Sequence, residues 1–559
     1  MKLRSQLIAP LFVVALGLCS AGAALAGGTT QPTQQVAATA GPPKFPGGFK
    51  HLVVIYEENH SFDNLYGHWG SVDGEAVDGT DDAPSARTTQ VAQDGTPYSC
   101  LLQVDANLTS PSPLPTTCRD THAVYNPDGT VKSTGFESHF ANQPFPIDDV
   151  IAPTDATCPV KPLYKSSPTG SFLKGTGDPG GCTADLVHRY YQEQYQLNSG
   201  AQNRYVTGSD AVGLSMGYYR TRNLPIYSYL HGHGAPNYVI ADHYFQAALG
   251  GSFLNHQWLI AARTPLDTSH GTTGVTKNSV LDGNGMVATY PLYRPTSPVV
   301  DGALTRACAD PATDDYAAAC GDYAVNTVQP FSDPWNHNPN AGRIPLLDYP
   351  TIGDRMSEAG VSWNWYAGGW DAAAAGTPGP LFQYHHQPFN YFAAYAPGQP
   401  GRSHLQDESR FLDAARSGSL PTVSFVKPYG LENEHPGYAS EPGGSDHLVD
   451  LVRAVEEGPQ AGNTLVVVTY DEFGGQWDHV PPPGQGSATS GVHDVWGPGT
   501  RVPAMLIGRR LTTSGVDHTV YDTTSILATI ERSLHLAPLT TRDASVNDLS
   551  AAVAAGRHR

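Results

Sequence analysis

Two adjacent acids, Asp471 and Glu472, directly follow a run of mostly β-branched residues in the stretch TLVVVTYDEFGG. The run predicts a buried strand, so both carboxylates are expected at a strand end. A similar arrangement occurs early in the chain, where Glu57, Glu58 and Asn59 follow HLVVIY. Neighbouring carboxylates repel each other, and such a cluster is tolerated only where protons or a metal ion neutralise it. These residues therefore predict a cation site built from two strand ends.

Apolar strands alternate with helical segments along the chain. This alternation predicts an α/β fold, a three-layer α/β/α sandwich with a large, mostly parallel sheet. Ligands of such sheets bind outside the carboxyl ends of the strands, where the two acidic groups meet if their strands are neighbours. The predicted strands are His51–Asn59, Asn237–Phe245, Val361–Gly369, Thr422–Pro428, Thr464–Glu472 and Val502–Gly508.

The ligand types at this edge indicate which ion would bind. Carboxylate and amide oxygens are hard ligands, which favour one divalent Ca²⁺ or Mg²⁺ ion over Mn²⁺ or Zn²⁺. The chain contains no CxxC spacing, so a thiolate zinc site is not expected.

Three helices have definable ends in the sequence. One is predicted from Thr183 to about Gly200, with Asp185 favourable in its first turn. A second follows Ser445, a suitable N-cap residue, and a third covers Thr523–Leu536.

The net charge of the chain is -20, from 32 basic and 52 acidic residues, and no run rich in Lys or Arg occurs. Binding to a nucleic-acid backbone needs clustered cations, so no nucleic-acid partner is expected. The acidity by itself indicates solubility.

The N-terminus has the features of a secretory signal peptide: a basic start, an apolar centre and small residues before a cleavage site after Ala26. A membrane anchor is the alternative, although the apolar run is short for a span of ~20 residues. No other stretch is long and apolar enough to cross a bilayer. We therefore expect a secreted or periplasmic protein with a flexible segment at 27–46, a catalytic domain at 47–540 and a C-terminal tail at 541–559.

Six cysteines remain after removal of the signal peptide, and an even number in an exported protein suggests disulfides. Four of them lie in or next to a polar region rich in glycine and proline at about 71–181, which we interpret as a disulfide-stapled insertion rather than a sheet. Fifteen connectivities are open, and proximity in sequence favours Cys100–Cys118, Cys158–Cys182 and Cys308–Cys320.

Five motifs, in order, resemble those of the bacterial phosphoesterase family, which contains secreted phospholipases C and respiratory-burst-inhibiting acid phosphatases. The resemblance extends from about His51 to Leu536 and implies an alkaline-phosphatase-like fold. The motifs are EENHSFDNLYG, ADHYFQAALGGSFLNHQWLIA, YHHQPFNYF, NEHPG and TYDEFGGQWDHVPPP.

The resemblance assigns roles to residues of the first, second and fifth motifs. Glu58, Asn59, Asp471 and Glu472 match metal ligands, whereas Glu57 is left as structural. Ser252 in GGSFLNH matches the nucleophile and would also bind the metal ion, which would lower the pKa of its hydroxyl. Glu472 stands where a second Asp can occur, which leaves its mode of metal binding open.

Histidines are the candidates for phosphate binding. His385 and His386 match the double histidine of the acid phosphatases, and His435 matches the histidine of an H-P pair. His479 is expected to join or border this group, with Asp478 orienting it. As imidazolium ions, His385, His386 and His435 would bind phosphate oxygens and give an acid optimum.

His188 is a further candidate for substrate binding, on the helix predicted from Thr183. Packing or exposure on that helix is the alternative interpretation.

The sequence predicts a secreted acid phosphatase that hydrolyses phosphomonoesters through a phosphoseryl intermediate. Three features favour it. Ser252 stands where the phospholipases C of the family usually have Thr, His385 and His386 form a histidine pair, and the chain ends soon after the last motif. The alternative is a phospholipase C that cleaves the phosphodiester of phospholipids. A non-catalytic, metal-stabilised binding protein is a third interpretation.

Overall fold

The computed structural model describes residues 44–103, 108, 113–158, 178–267, 280–296, 299–300, 323–339, 341–437 and 439–557. The predicted signal peptide with its cleavage site after Ala26, most of the segment 27–46, and the Cys308–Cys320 pair lie outside these residues.

An eight-stranded sheet forms the centre of the protein. Its spatial order is β4-β3-β5-β1-β6-β7-β2-β8, and all neighbours are parallel except β6–β7 and β7–β2. In chain order the strands are β1 His51–Glu57, β2 Tyr238–Ala241, β3 Trp363–Ala367, β4 Leu405–Asp407, β5 Val423–Lys427, β6 Thr464–Tyr470, β7 Ala504–Ile507 and β8 Gly515–Asp517.

All six predicted strands are confirmed. Consecutive residues of β1 and β6 are buried, which shows that both faces of the sheet are covered. The two strands that sequence patterning did not identify, β4 and β8, are three residues long and lie at the two edges. Such short elements carry too little periodicity to be recognised.

Helices cover the sheet in two groups. In one group α9 contacts α4 and α8, and in the other α5 contacts α6 and α10. With the sheet buried on both faces, this confirms the predicted α/β/α layering. The helices are α1 Phe62–Leu65, α2 Ser85–Thr88, α3 Tyr190–Leu197, α4 Pro225–Leu230, α5 Ser252–Ala261, α6 Ile352–Glu358, α7 Trp370–Ala374, α8 Glu408–Ser417, α9 Glu441–Glu456, α10 Thr524–Leu534, α11 Thr541–Ser545 and α12 Ser550–Ala555.

None of the helices in the described ranges combines the length and the apolar composition needed to cross a membrane.

Two helix starts differ from the predictions. The helix expected from Thr183 begins only at Tyr190, because residues 183–189 run as irregular chain along the candidate site. Helix α9 begins at Glu441 with Ser440 as its N-cap, one turn before the predicted Ser445. The Ser445 hydroxyl is used elsewhere and accepts a hydrogen bond from the Ile226 amide at 3.2 Å.

The described part of the predicted insertion consists of loops and short two-stranded pairs. Disulfides join Cys100 to Cys118 and Cys158 to Cys182, as proximity in sequence suggested. The paired strands here and elsewhere are Ser71–Val72 with Glu75–Ala76, Cys100–Leu101 with Phe140–Ala141, Cys118–Asp120 with Phe136–Ser138, Val124–Tyr125 with Val131–Ser133, Phe145–Pro146 with Gly217–Tyr218, Tyr244–Phe245 with Tyr521–Asp522, Val280–Leu281 with Val299–Val300, and Gln329–Pro330 with Arg343–Ile344.

The C-terminal residues, predicted as a tail, are part of the folded unit. Helices α11 and α12 lie there, and α12 packs against β2 and β8. Arg542 of α11 is buried and forms an ion pair with Asp522 at 2.8 Å.

Candidate active site

The two acidic strand ends are neighbours in the sheet. Strands β1 and β6 are parallel and in register, with Glu57 opposite Tyr470. Glu58 and Asn59 therefore leave the sheet at the same level as Asp471 and Glu472, as parallel pairing requires.

The hydroxyl of Ser252 lies among the side chains of these residues. Ser252 is the first residue of α5, and its Oγ is 3.2 Å from Oε2 of Glu58. It is also 3.4 Å from Oδ1 of Asn59 and 3.4 Å from Oε1 of Glu472. The N-terminus of a helix carries partial positive charge, so an anionic group next to Ser252 would be favoured.

Asp471 organises the backbone of this cluster. Its Oδ1 accepts hydrogen bonds from the amides of Asn59, at 3.0 Å, and Glu472, at 2.8 Å. Asn59 adopts a left-handed conformation with φ 60°, which Asn tolerates better than most residues. Gly474 packs so closely on Asn59 that a Cβ atom there would lie 2.1 Å from the Asn59 carbonyl oxygen. A glycine at 474 is therefore needed to bring the two strand ends together.

The carboxylates of the cluster are fully buried. Burial and the charge of Glu58 raise the pKa of Asp471 well above its usual value, and burial and Asp471 do the same for Glu472. For Glu58, burial is outweighed by His386 and Lys427, which hold its pKa well below the usual value. Two of the three acids are therefore poorly compensated within the protein.

Lys427 is a cation of the site that the sequence argument missed. It is the last residue of β5, the strand beside β1, and its ammonium contacts Oε1 of Glu58. The same ammonium donates to the carbonyls of Tyr56, at 2.8 Å, and Glu57, at 3.0 Å. The available signal was a single lysine at the end of a predicted strand, at the edge of the sheet where the acidic residues were expected.

The predicted ligand set fits a hard divalent ion. Every ligand atom is an oxygen, as Ca²⁺ and Mg²⁺ prefer. Oδ2 of Asp471 is fully buried and has no hydrogen-bond partner among the described residues, which leaves it available as a ligand. Metal ligands are ionised, and with all three carboxylates ionised and the Lys427 ammonium charged, two negative charges remain, the number that one divalent ion would cancel.

His188 and His435 both contact Asn59. The side-chain nitrogen Nδ2 of Asn59 is 3.3 Å from Nε2 of His188 and 3.1 Å from Nε2 of His435. Each ring donates its Nδ1–H to a backbone carbonyl, that of Leu186 or Pro436. Both imidazoles are then neutral acceptors, and they turn Oδ1 of Asn59 towards Ser252.

Burial works against the predicted positive charge on these histidines. Burial lowers the pKa of His188 to about 4 and that of His435 to about 3. Burial likewise lowers the pKa of His386 and places that of His385 well below its usual value. These lowered pKa values argue against the acid optimum expected from imidazolium ions, which stays a prediction.

His385 and His386 lie at different depths. His385 lines the cavity next to Ser252, whereas Nε2 of His386 lies 3.0 Å from Oε1 of Glu58. His386 stacks on His256, a residue the sequence argument did not single out. Nδ1 of His256 lies 2.7 Å from the Ser252 carbonyl and 3.7 Å from Oδ2 of Asp471. Its position four residues after Ser252, on the same face of a helix, was the available signal.

His479 is not part of this group, contrary to the expectation from its motif. Its Nδ1 lies 2.7 Å from Oδ2 of Asp63 and its Nε2 lies 3.0 Å from Oδ1 of Asp78. Asp478, expected to orient it, instead pairs with Arg501 at 3.1 Å. Both ring nitrogens of His479 are thus occupied by a separate ion-pair network.

A cavity of about 540 Å³ adjoins the cluster. Ser252, His188, His385 and His435 line it, together with residues 325–327. Its size is in the range of small-molecule sites, and it gives a ligand access to the Ser252 hydroxyl.

Fold and site together define an α/β protein with a buried hydroxyl and a candidate cation site at the carboxyl edge of its sheet. The model of the Phosphoesterase family matches residues 49–537. The chain therefore belongs to the phosphoesterase family and is a phosphoric ester hydrolase.

Similar proteins are named phospholipases C. Phospholipase C B of Mycobacterium tuberculosis is 24% identical over 440 residues, which cover 72% of this chain and 69% of that protein. A non-hemolytic phospholipase C of Burkholderia pseudomallei is 28% identical over 240 residues, covering 35% of this chain and 34% of that protein. These relatives favour the phospholipase C alternative over the predicted acid phosphatase.

Solved structures show only a weak likeness. A 2-O GAG sulfatase is 12% identical with a TM-score of 0.27, covering 60% of this chain and 70% of its own. A protein of the alkaline phosphatase superfamily from Vibrio parahaemolyticus is 11% identical with a TM-score of 0.22, covering 36% and 51%. The α/β class is established by the sheet itself.

Proposed function

We propose that this chain hydrolyses phosphodiesters in the manner of a phospholipase C, with Ser252 as the nucleophile. One observation carries the proposal: the Ser252 hydroxyl lies within 3.4 Å of three oxygens suited to a metal ion, next to an open cavity. The names of the relatives supply the preference for a diester.

The residues of the site divide the chemistry among them. Ser252 attacks phosphorus, the alcohol leaves with its oxygen, and water then cleaves the phosphoseryl ester. Oε2 of Glu58 is the carboxylate oxygen nearest the hydroxyl and accepts its hydrogen bond at 3.2 Å, which orients the serine oxygen. The serine proton is released to water as the P–O bond to the alcohol breaks, and the departing alkoxide takes up a proton from water. The neutral imidazoles of His188 and His435 keep Oδ1 of Asn59 turned towards the same hydroxyl.

Glu58, Asn59, Ser252, Asp471 and Glu472 would hold the metal ion. A divalent ion bound there lowers the pKa of the serine hydroxyl and offsets the charge of the phosphoryl group. The oxygen-only ligand set supports Ca²⁺ or Mg²⁺.

Export to an oxidising compartment is part of the proposal. The disulfides Cys100–Cys118 and Cys158–Cys182 support it, because such bonds persist outside the reducing cytosol.

Substrate preference tests the proposal against the predicted phosphomonoesterase. The purified protein is assayed with p-nitrophenylphosphorylcholine, a diester, and with p-nitrophenyl phosphate, a monoester, at equal concentrations and with added Ca²⁺ or Mg²⁺. A higher kcat/KM for the diester is expected. Preference for the monoester would restore the acid phosphatase interpretation, and hydrolysis of neither would contradict both.

A further inference from the structure

Two buried polar residues outside the ligand set connect the loop before Ser252 to the strand end that carries Glu472. Glu193 lies on α3, and Gln246 follows the short strand Tyr244–Phe245; neither side chain is exposed. Burying a carboxyl and an amide is costly unless hydrogen bonds satisfy them. Their partners therefore show what the two residues hold in place.

Glu193 holds the loop that precedes the nucleophile. The amide of Gly250, two residues before Ser252, donates to its Oε2. On the other side, the amide and hydroxyl of Thr500 donate to its Oε1 at 2.7 and 2.9 Å. Nε2 of Gln246 donates to Oε2 at 2.9 Å and links the two residues directly.

Gln246 connects that loop to the second acidic strand end. Its Oε1 accepts from the amide of Phe473, the residue after Glu472, at 2.9 Å. The two hydrogens of its Nε2 are shared among Oε2 of Glu193 and the carbonyls of Ala248, at 2.8 Å, and Gly250, at 3.1 Å. A side-chain amide can accept on one side and donate on the other, whereas a carboxylate only accepts.

Close packing joins α3 to the same loop. Gly250 has φ +97°, and a Cβ atom there would lie 2.7 Å from the Tyr190 amide nitrogen. A Cβ atom at Gly251 would lie 2.9 Å from the His188 carbonyl oxygen. The loop before Ser252 thus rests directly on the start of α3, which leaves it little room to move.

We propose that Glu193 and Gln246 form a positioning bracket that fixes the distance between the Ser252 hydroxyl and the Glu472 carboxylate. The bracket rests on the proposed function, since it acts through the nucleophile and a metal ligand. Neither residue contacts the reacting atoms. Small errors in such distances cost rate and metal affinity, because both depend on pre-organised geometry.

Two nearly isosteric substitutions test the bracket. Gln246→Glu keeps an acceptor for Phe473 but loses the donations to the loop and to Glu193, and it places a second carboxyl group against that of Glu193. Glu193→Gln replaces one of the acceptor oxygens by a donor that faces other donors. For each variant we expect kcat to fall about 10- to 100-fold with KM changed less than about threefold. Calorimetric affinity for Ca²⁺ or Mg²⁺ alone should fall about 10-fold or more.

Gln90 provides a matched control. It is also fully buried; its Nε2 donates to the Gln202 carbonyl at 3.1 Å and its Oε1 accepts from the Tyr205 amide at 2.9 Å. Gln90→Glu should lower the melting temperature while kcat and ion affinity stay within about twofold of wild type. If kcat and ion affinity fell as much in Gln90→Glu as in Gln246→Glu, the bracket would be overturned. Destabilisation alone would then explain the lower kcat and ion affinity.

Loss of activity has to be distinguished from loss of the fold. Circular dichroism verifies the fold, and Gln246→Asn, which keeps donor and acceptor on a shorter side chain, should fold and show an intermediate loss. Folded variants at both positions with unchanged kcat and unchanged ion affinity would overturn the proposal. Ion affinity needs no ester, so it decides the question even where the wild-type protein hydrolyses none.

Discussion

The ammonium of Lys427 contacts Oε1 of Glu58, and both side chains are fully buried. His386 approaches the same oxygen, at 3.0 Å, so Oε2 is the oxygen that remains for Ser252. Part of the positive charge required by the acidic strand ends is therefore built into the protein. With Asp471 and Glu472 ionised, the remainder, two charges, is what a divalent ion at the proposed site would supply.

Replacing this lysine tests its part in the charge balance. In Lys427→Met without added metal, Glu58 keeps a buried charge without its ammonium partner, and the free energy of unfolding should fall by about 3–5 kcal/mol. Urea denaturation in the presence of a chelator measures the change. Lys132→Met, on an exposed strand residue, should stay within about 0.5 kcal/mol of wild type. Equal stability of the two variants would show that Lys427 does not compensate Glu58.

The proposed metal site predicts that the folded protein is less stable without a divalent ion. Without it, the buried carboxylates of Glu58, Asp471 and Glu472 face one another with one ammonium among them. Adding Ca²⁺ or Mg²⁺ to the chelator-treated protein should raise the melting temperature, since ligand at 100 times its Kd contributes about 2.7 kcal/mol. Thermal denaturation over a range of ion concentrations checks this. A melting temperature independent of both ions would contradict a divalent-ion site.

Ser252→Ala should abolish turnover and leave the fold intact. The hydroxyl is the proposed nucleophile, and its removal should lower kcat by at least about 10³-fold. Ser424 of β5 is equally buried and serves as the control, because Ser424→Ala changes a hydroxyl outside the ligand set. Steady-state kinetics and circular dichroism on both variants are the measurements. Residual activity in Ser252→Ala near the wild-type value would assign the nucleophile elsewhere.

The ion-pair network around His479 predicts how stability depends on pH. Burial opposes charging of His479, but Asp63 and Asp78 outweigh it and raise its pKa to about 9. His243 lies between Asp78 and Asp242, and its pKa is likewise raised to about 9. Arg501 faces the same acids and lowers the pKa of both imidazoles.

A folded pKa above the ordinary 6.5 means that protonated His479 stabilises the fold. This stabilisation is complete below pH 6.5 and is lost as the pH rises through about 9, by up to about 3 kcal/mol. Urea denaturation at pH 6, 8 and 10 measures it. In His479→Gln the decline between pH 6 and 10 should be smaller, and an unchanged decline would exclude His479 as its source.

Strand positions and the acidic strand ends were predictable from local sequence. A buried parallel strand is a continuous apolar run, so β1, β5 and β6 are visible in the residue types alone. Helix starts were less predictable, as the late start of α3 and the early start of α9 show. Several residues can serve as an N-cap, and tertiary packing selects among them.

The roles of single polar residues depended on the tertiary structure. His479 belongs to a motif next to the acids, yet it pairs with Asp63, which lies 416 residues away in sequence. The histidines near Ser252 were predicted as cations, but burial keeps their pKa values low.

The sequence by itself determined the main strands of the sheet, the two acidic strand ends and the GGS motif that carries Ser252. Each of these depends on a few consecutive residues. Only the tertiary structure decided that Lys427 pairs with Glu58, that burial lowers the pKa values of the site imidazoles, and that Glu193 and Gln246 join the loop before Ser252 to the strand end at Glu472. The physical reason is that charge state and hydrogen bonding depend on burial and on partners far away in sequence, which no local pattern encodes.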